Sequence, residues 1–405
     1  MTTRAIAELF SESIRQLDPS ADDYVPQLVD QIIQQARIHR ASDIHLVPAA
    51  DRLTMQWRID GVLHTVAAFG AESSPRVIAR LKVMSGLLTY RTDIPQEGRV
   101  ADGSGRDSSG EVRITTFPTL YGEKAAIRLF AATSQLQLLS DLGLPGDVED
   151  SLRNNLHATS GVILLTGPSG SGKTTTGYAC LREIVRLFGE SKGVLTLEDP
   201  IEVVVEGITQ SQVKPYVGFD LATGLKSMMR QDPDVILVGE IRDPETAECA
   251  FQAALTGHLV ITTFHAGSSV EAITRLLDLG IEPYLIRSTL RTTICQRLLR
   301  RLCRQCGAKP ENMPGTDNQL DNSPSHQDHR CQACGGLGYQ GRFVTAEILD
   351  PNQSDIAAAI LNRVDSHTLQ SIANDSGTVT LRQRFERLVV DGITTQEEAF
   401  RVLGR

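Results

Sequence analysis

The chain has 405 residues, 41% hydrophobic and 22% charged, which is the balance of a soluble globular protein with room for two or three domains. No apolar run approaches the roughly 18 residues of a membrane-spanning helix, and Met1–Phe10 lacks a basic stretch followed by an apolar one, so neither membrane insertion nor a secretory leader is expected. A formal charge of −9 argues against a chain whose main task is holding nucleic-acid phosphates.

Residues 1–22 read as a polar, amphipathic lead-in. From Pro26, Leu28, Val29, Ile32, Ile33 and Ala36 recur at helical spacing, with Asp22 or Asp23 available as a cap and Pro26 suited to a first turn. Leu53, Met55, Trp57 and Ile59 then alternate, Asp60-Gly61 supplies a tight turn, and Val62–Val66 returns, which predicts a hairpin. Val77, Leu81, Met84 and Leu88 mark a helix, Asp102–Gly110 a loop, and Glu111–Phe117 and Lys124–Phe130 two further strands. Residues 23–131 therefore read as an α+β domain, and 132–157 as a linker carrying a short helix.

From Gly161 the texture becomes apolar strand, glycine loop, helix, apolar strand. That alternation predicts βα units on a mainly parallel sheet, placed at 158–300. The basic run Arg287–Arg304 reads as a helix leading into a cysteine module at 301–342. Within that module Gly307–Arg330 is a polar, proline-bearing excursion, and 343–405 reads as a helical region.

There are seven cysteines. Cys180, Cys249 and Cys295 stand alone in apolar, helix-like surroundings and read as small buried hydrophobes. Cys303-x-x-Cys306 and Cys331-x-x-Cys334 have the pairing of a closed, four-thiolate zinc site rather than of disulfides. His326 and His329, between the pairs, are read as exposed loop residues rather than ligands.

The chemistry is announced by Gly167-Pro168-Ser169-Gly170-Ser171-Gly172-Lys173-Thr174, a full G-x-x-x-x-G-K-[ST] match that follows the strand Val162–Thr166 and opens a helix. Such glycines let backbone N–H groups turn onto phosphate oxygens, and the helix N-terminus adds its positive dipole end. Lys173 then reaches the β/γ-phosphates, the Thr174 hydroxyl holds Mg²⁺, and Thr175 completes the cradle. Two acidic clusters follow apolar strands: Glu240 after Val235–Val238, and Glu198-Asp199-Pro200-Ile201-Glu202 after Gly193–Leu197. Carboxylates at such strand ends can hold Mg²⁺ and orient water, although acids there are common without chemistry and neither cluster carries weight alone.

Taken together, these residues resemble the type II secretion and type IV pilus assembly ATPases. Gly167–Thr174 is similar to that family's Walker A, Thr196–Glu202 to its aspartate box, Arg230–Asp243 to its Walker B, and Thr256–His265 to its histidine box. Ala41–His45, Arg58–Gly61, Glu111–Pro118 and Gly122–Arg128 resemble segments of its second N-terminal domain. The resemblance implies an α/β protein: a P-loop RecA-like ATPase domain, a smaller N-terminal α+β domain, and a C-terminal zinc-binding and helical module. It implies ATP, Mg²⁺ and Zn²⁺ as cofactors, and a hexameric ring at the cytoplasmic face of the inner membrane. It further implies a polytopic membrane platform protein as partner, with no direct nucleic-acid contact.

By the same resemblance Glu202 polarises the attacking water and Glu240 supports metal and water, with the identity of the base left open. His258 and His265 sense the phosphate region, and Arg113 and Arg128 reach the γ-phosphate when the N-terminal domain closes. The four-cysteine module argues for an assembly motor over the alternative retraction type, and the acidic, aromatic-poor composition argues against a nucleic-acid translocase. A regulatory P-loop protein without turnover is disfavoured by intact Lys173, Glu202 and Glu240. Phe264 and Ala266-Gly-Ser-Ser depart from the usual histidine box, and the family's first N-terminal domain is expected to be absent. A secretion pseudopilus and a true pilus remain equally open.

Overall fold

The computed structural model describes residues 4–100, 112–129, 138–306, 331 and 333–404. The expected loop at 102–110, the excursion at 307–330 with His326 and His329, and the start of the linker lie outside the described residues. The chain forms two compact units, Met1–Thr133 with Arg300–Arg342, and Ser134–Leu299 with Phe343–Arg405.

The first unit runs α1 (Arg4–Ile14), α2 (Tyr24–Ile38), β1 (Ala41–Pro48), β2 (Arg52–Ile59), β3 (Val62–Gly70), α3 (Ser73–Met84), β4 (Gln96–Val100), β5 (Val112–Thr119) and β6 (Gly122–Leu129). The strands form one antiparallel sheet in the order β3-β2-β1-β6-β5-β4. The hairpin predicted at Asp60-Gly61 forms, with φ of 47° and 85°, the pair of positive values that a type I′ turn requires. Burial alternates along β2, so one face carries Leu53, Met55, Trp57 and Ile59 into the core beside Leu28, Val29, Ile32 and Leu81 of the helices.

Four readings change here. The lead-in contains α1, whose Ile6 and Phe10 are fully buried in the same core, Phe10 edge-on to Trp57 at 5.6 Å. Asp23 stands at the N-cap of α2 but makes no side-chain cap bond. Leu88 lies beyond the end of α3 and is exposed. Strand β4 was not expected, because its Gln-Glu-Gly-Arg-Val sequence has little β propensity of its own and forms by pairing with β5.

The second unit begins with α4 (Leu139–Leu142) and α5 (Gly146–Leu156), then β7 (Gly161–Thr166), α6 (Lys173–Phe188), β8 (Val194–Glu198), β9 (Thr209–Gln212), α7 (Leu221–Met228) and β10 (Val235–Val238). It continues through α8 (Pro244–Leu255), β11 (Leu259–Phe264), α9 (Ser269–Asp278), α10 (Pro283–Thr289), β12 (Leu290–Leu302), β13 (Tyr339–Leu349) and α11 (Ser354–Leu361). It ends with α12 (Ser366–Asp375), α13 (Leu381–Val390) and α14 (Gln396–Leu403). The sheet order is β13-β12-β7-β11-β10-β8-β9, and the pairings among β12, β7, β11, β10, β8 and β9 are parallel. Strands β7, β10 and β11 are buried at every residue, as both faces of a parallel sheet are covered. One layer is packed by α8, α9 and α10, the other by α5 and α6.

Most of the run expected to be helical at Arg287–Arg304 is strand β12. Its Leu and Arg residues are good helix formers, but Thr292, Thr293 and Ile294 are β-branched and pair in parallel with Ile163, Leu164 and Leu165. Cys295 therefore sits in a strand, not in helix-like surroundings, although it is fully buried as expected. Cys180 is buried in α6, and burial pushes its thiol up to about 12, consistent with an inert packing residue. The polar strand β9 is an edge added to β8, which no apolar pattern announced.

Candidate nucleotide site and cysteine cluster

The parallel sheet delivers its chemistry at the carboxyl ends of β7, β8, β10 and β11. Gly167 leaves β7 at φ 141°, and a Cβ there would lie 2.6 Å from the Gln296 carbonyl oxygen, so only glycine fits. Gly170 and Gly172 also take positive φ, 73° and 92°, turning the loop into α6. Pro168, Ser169 and Ser171 complete the loop, and Thr174 and Thr175 stand half-buried in the first turn of α6. Lys173 is largely buried and donates to the Gly167 and Pro168 carbonyls at 2.8 and 3.0 Å, which spans the loop from beneath. Burial lowers its pKa, the Glu240 carboxylate opposes that shift, and Arg297 adds to it.

Glu240 follows β10, and its Oε1 is 2.6 Å from His265 Nε2 while its Oε2 accepts from Arg242 Nε at 2.9 Å. His265 follows β11, so the sheet's own register brings these two together. A cavity of about 520 Å³ opens beside them, lined by Arg242, Phe264, Arg275 and Asp278 among others.

His258 is placed differently. It precedes β11 instead of following it, so the whole strand, about 20 Å at 3.3 Å per residue, separates it from His265. Its Nδ1 is 2.8 Å from the Ala253 carbonyl at the end of α8, and its own carbonyl accepts from Gly161 N–H. Within this chain His265 stands at the P-loop end of β11 and His258 at its opposite end.

In the acidic cluster, Glu198 is buried and accepts from the Tyr178 hydroxyl, from Thr196 Oγ1 at 2.5 Å and from Gln210 Nε2 at 3.1 Å. The same Tyr178 oxygen accepts from the Glu202 backbone N–H at 3.1 Å, leaving the Glu202 side chain at the surface. Burial and donation to Glu198 raise the Tyr178 pKa. Tyr178, Gln296 and Arg297 were missed in the sequence. Gln296 donates to the Ser171 carbonyl at 2.9 Å, and Arg297 donates to Gln296 O at 3.0 Å and Gly267 O at 2.7 Å. Tyr178 could have been sought one helical turn beyond the P-loop, whereas the other two were hidden by the helical reading of their strand.

In the first unit the registered pairs Arg58–Asp43, Asp43–Arg128, Arg128–Arg113 and Arg113–Arg99 form a row across the sheet. Arg128 Nε lies 3.0 Å from Asp43 Oδ1, and Arg113 Nε 3.4 Å from Glu97 Oε1. Adjacent guanidinium groups on neighbouring strands repel, which makes the row a locus of positive charge rather than a stabilising ladder. Burial pushes the pKa of His45 on β1 down, Lys124 adds to that and Asp43 opposes it.

The four sulfurs of Cys303, Cys306, Cys331 and Cys334 lie within 4.8 Å of one another, Cys303–Cys331 at 3.9 Å and Cys306–Cys334 at 3.6 Å. Tetrahedral Zn–S bonds of about 2.3 Å give S···S edges of roughly 3.8 Å, so the donor set fits a zinc ion. Leu337 just beyond it packs into the first unit's core, and Gly341 N–H donates to Asp60 at 2.8 Å.

Residues 18–401 match the family described as type II/IV secretion system protein. The chain is 38% identical to the type IV pilus assembly ATPase PilB of Thermus thermophilus, over 95% of this chain but 43% of that protein. It is 38% identical to type II secretion system protein E of Pectobacterium carotovorum, over 98% of this chain and 79% of that protein. The solved structure of the pilus retraction motor PilT with bound ADP superposes with a TM-score of 0.58 at 27% identity, covering 93% of this chain and 96% of that one. With four ordered motifs and a match along nearly its whole length, the chain belongs to the type II secretion and type IV pilus assembly ATPase family.

Proposed function

We propose that this chain is the Mg²⁺-dependent ATP-hydrolysing motor of an assembly machine, either a type II secretion pseudopilus or a type IV pilus. The observation that carries the reading is the convergence of Lys173, Glu240 and His265 at one end of the parallel sheet, beside a complete glycine cradle. The loop amides and Lys173 bind the phosphates, and Lys173 neutralises charge as it moves toward the leaving oxygen. Thr174 and Glu240 are the residues that would hold Mg²⁺, which when bound neutralises charge developing on the phosphates. Glu202, held by its backbone to Tyr178, polarises the attacking water, and Glu240 orients it with His265 as its hydrogen-bond partner. Arg113 and Arg128 supply guanidinium charge to the transferring phosphoryl group.

Zinc at the four cysteines would be structural, a closed site with no open ligand position. Identity of about 38% to assembly and secretion ATPases, against 27% to the retraction motor, favours assembly over retraction. The proposed working form is a homo-oligomer, a hexamer, docked on a polytopic platform protein at the cytoplasmic face of the inner membrane. No helix among the described residues is long and apolar enough to cross a membrane.

The test is Mg-ATP turnover across a dilution series with Lys173→Ala as control. Specific activity should fall on dilution, and the variant should lose at least about a hundredfold in kcat. Wild-type turnover by Lys173→Ala would refute the site assignment. Chelation should separately lower the melting temperature in step with zinc released, since structural zinc supplies folding free energy.

A further inference from the structure

The four residues from His265 to Ser268 link β11 to α9, and charged side chains hold their backbone and that of Ser269, the first residue of α9. The His265 carbonyl accepts from Arg275, Gly267 N–H donates to Glu271 at 2.6 Å, and Gly267 O accepts from Arg297 at 2.7 Å. Ser269 N–H donates to Glu347 Oε1 at 2.6 Å. Arg275 and Glu271 belong to α9 itself, and Arg297 leads to the P-loop through Gln296. Glu347 leads elsewhere. It is buried on β13, only 5% exposed, and its second oxygen accepts from Leu381 N–H at 2.9 Å. Leu381 opens α13, so one carboxylate accepts from the first-turn N–H groups of two helices.

We propose that Glu347 is a positioning residue: it ties the His265 loop to α13, so that a load on the C-terminal helices reaches the Glu240–His265 pair. The proposal rests on the reading of Glu240 and His265 as part of the ATP site. Apart from Glu347, α13 is attached by a small apolar cluster around Cys295, Leu299 and Phe385 and by the Arg384–Asp147 pair on α5. Of those, Cys295 also reaches the loop, its thiol 3.8 and 3.5 Å from the Ala266 and Gly267 carbonyls, but it meets α13 through apolar packing alone, whereas Glu347 hydrogen-bonds the backbone on both sides. A force on α13 that shifts Leu381 therefore pulls on Ser269, four residues from His265, through two short charge-assisted bonds.

The test uses the full chain and compares wild type, Glu347→Gln, Glu347→Asp and Lys173→Ala. Gln keeps the shape and turns one acceptor into a donor, while Asp keeps the charge and loses the span between the two amides. Both should lower kcat about tenfold, with the KM for ATP within about twofold, because positioning rather than binding is lost. Amide exchange should accelerate together at 265–271 and 380–384. Wild-type kcat in both Glu347 variants, or a lowered melting temperature with kcat intact, overturns the proposal while an inactive Lys173→Ala leaves the ATP site standing. An active Lys173→Ala brings down both. Should the Glu347 variants not fold, the wild type decides: Mg-ADP should slow exchange at both segments, and protection confined to 265–271 overturns the link.

Discussion

The two sheets of this molecule use their surfaces in opposite ways. In the second unit the central strands are closed on both faces, and Lys173, Glu240 and His265 meet at their carboxyl ends. In the first unit one face is core and the other is open, so charged residues lie in register across the middle of the sheet, from Arg58 to Arg99. A parallel sheet concentrates chemistry at an edge and commits its body to stability, whereas a half-open antiparallel sheet can offer a broad charged surface at little cost to the core behind it.

That contrast can be broken by mutation. Arg128→Ala on the open face should cost between about 10³- and 10⁵-fold in kcat, roughly 4–7 kcal/mol of barrier, with an unchanged melting temperature. A melting shift comparable to that of a core variant would show that the charge row is structural. Phe251→Ala, in the closed second unit, should cost about 3–5 kcal/mol by denaturant titration with the KM for ATP unaffected.

Glu183 sharpens the contrast from inside α6. Its nearly inaccessible carboxylate is lowered in pKa by the Arg186 hydrogen bond, with burial opposing and Arg153 adding to the effect. A depressed folded-state pKa contributes stability above the ordinary carboxylate range near 4.3 and loses it as pH falls through the folded value. The melting difference between wild type and Glu183→Gln should therefore be largest near pH 7 and shrink below about pH 4. The smallest effect belongs to the exposed Lys226–Glu245 pair at 2.7 Å, where Lys226→Ala should leave melting within experimental error.

Much of this architecture was legible because its signals are local. The P-loop, the Asp60-Gly61 turn and the paired cysteines each announce themselves within a few residues. What stayed hidden depends on partners distant in sequence. Strand β12 looks helical until β7 is beside it, β9 is polar because it is an edge, and α1 reveals itself only through the pocket that Trp57 and Phe69 provide for Phe10. The histidines show the limit of motif reading, since His258 and His265 share one sequence box yet stand at opposite ends of a strand.

The Tyr178 hydroxyl has a consequence for how this enzyme's traits can vary. Helix α6 grips the cradle at its first turn and, five residues after Lys173, holds both Glu198 and the Glu202 amide through one phenol oxygen. On the proposed roles, affinity for nucleotide is written at the tip of the helix and the pace of hydrolysis one turn further along. Tyr178→Phe would detach the second from the first. One helix therefore offers two nearly independent dials, one for holding fuel and one for burning it, and a lineage could slow its motor without loosening its hold on ATP.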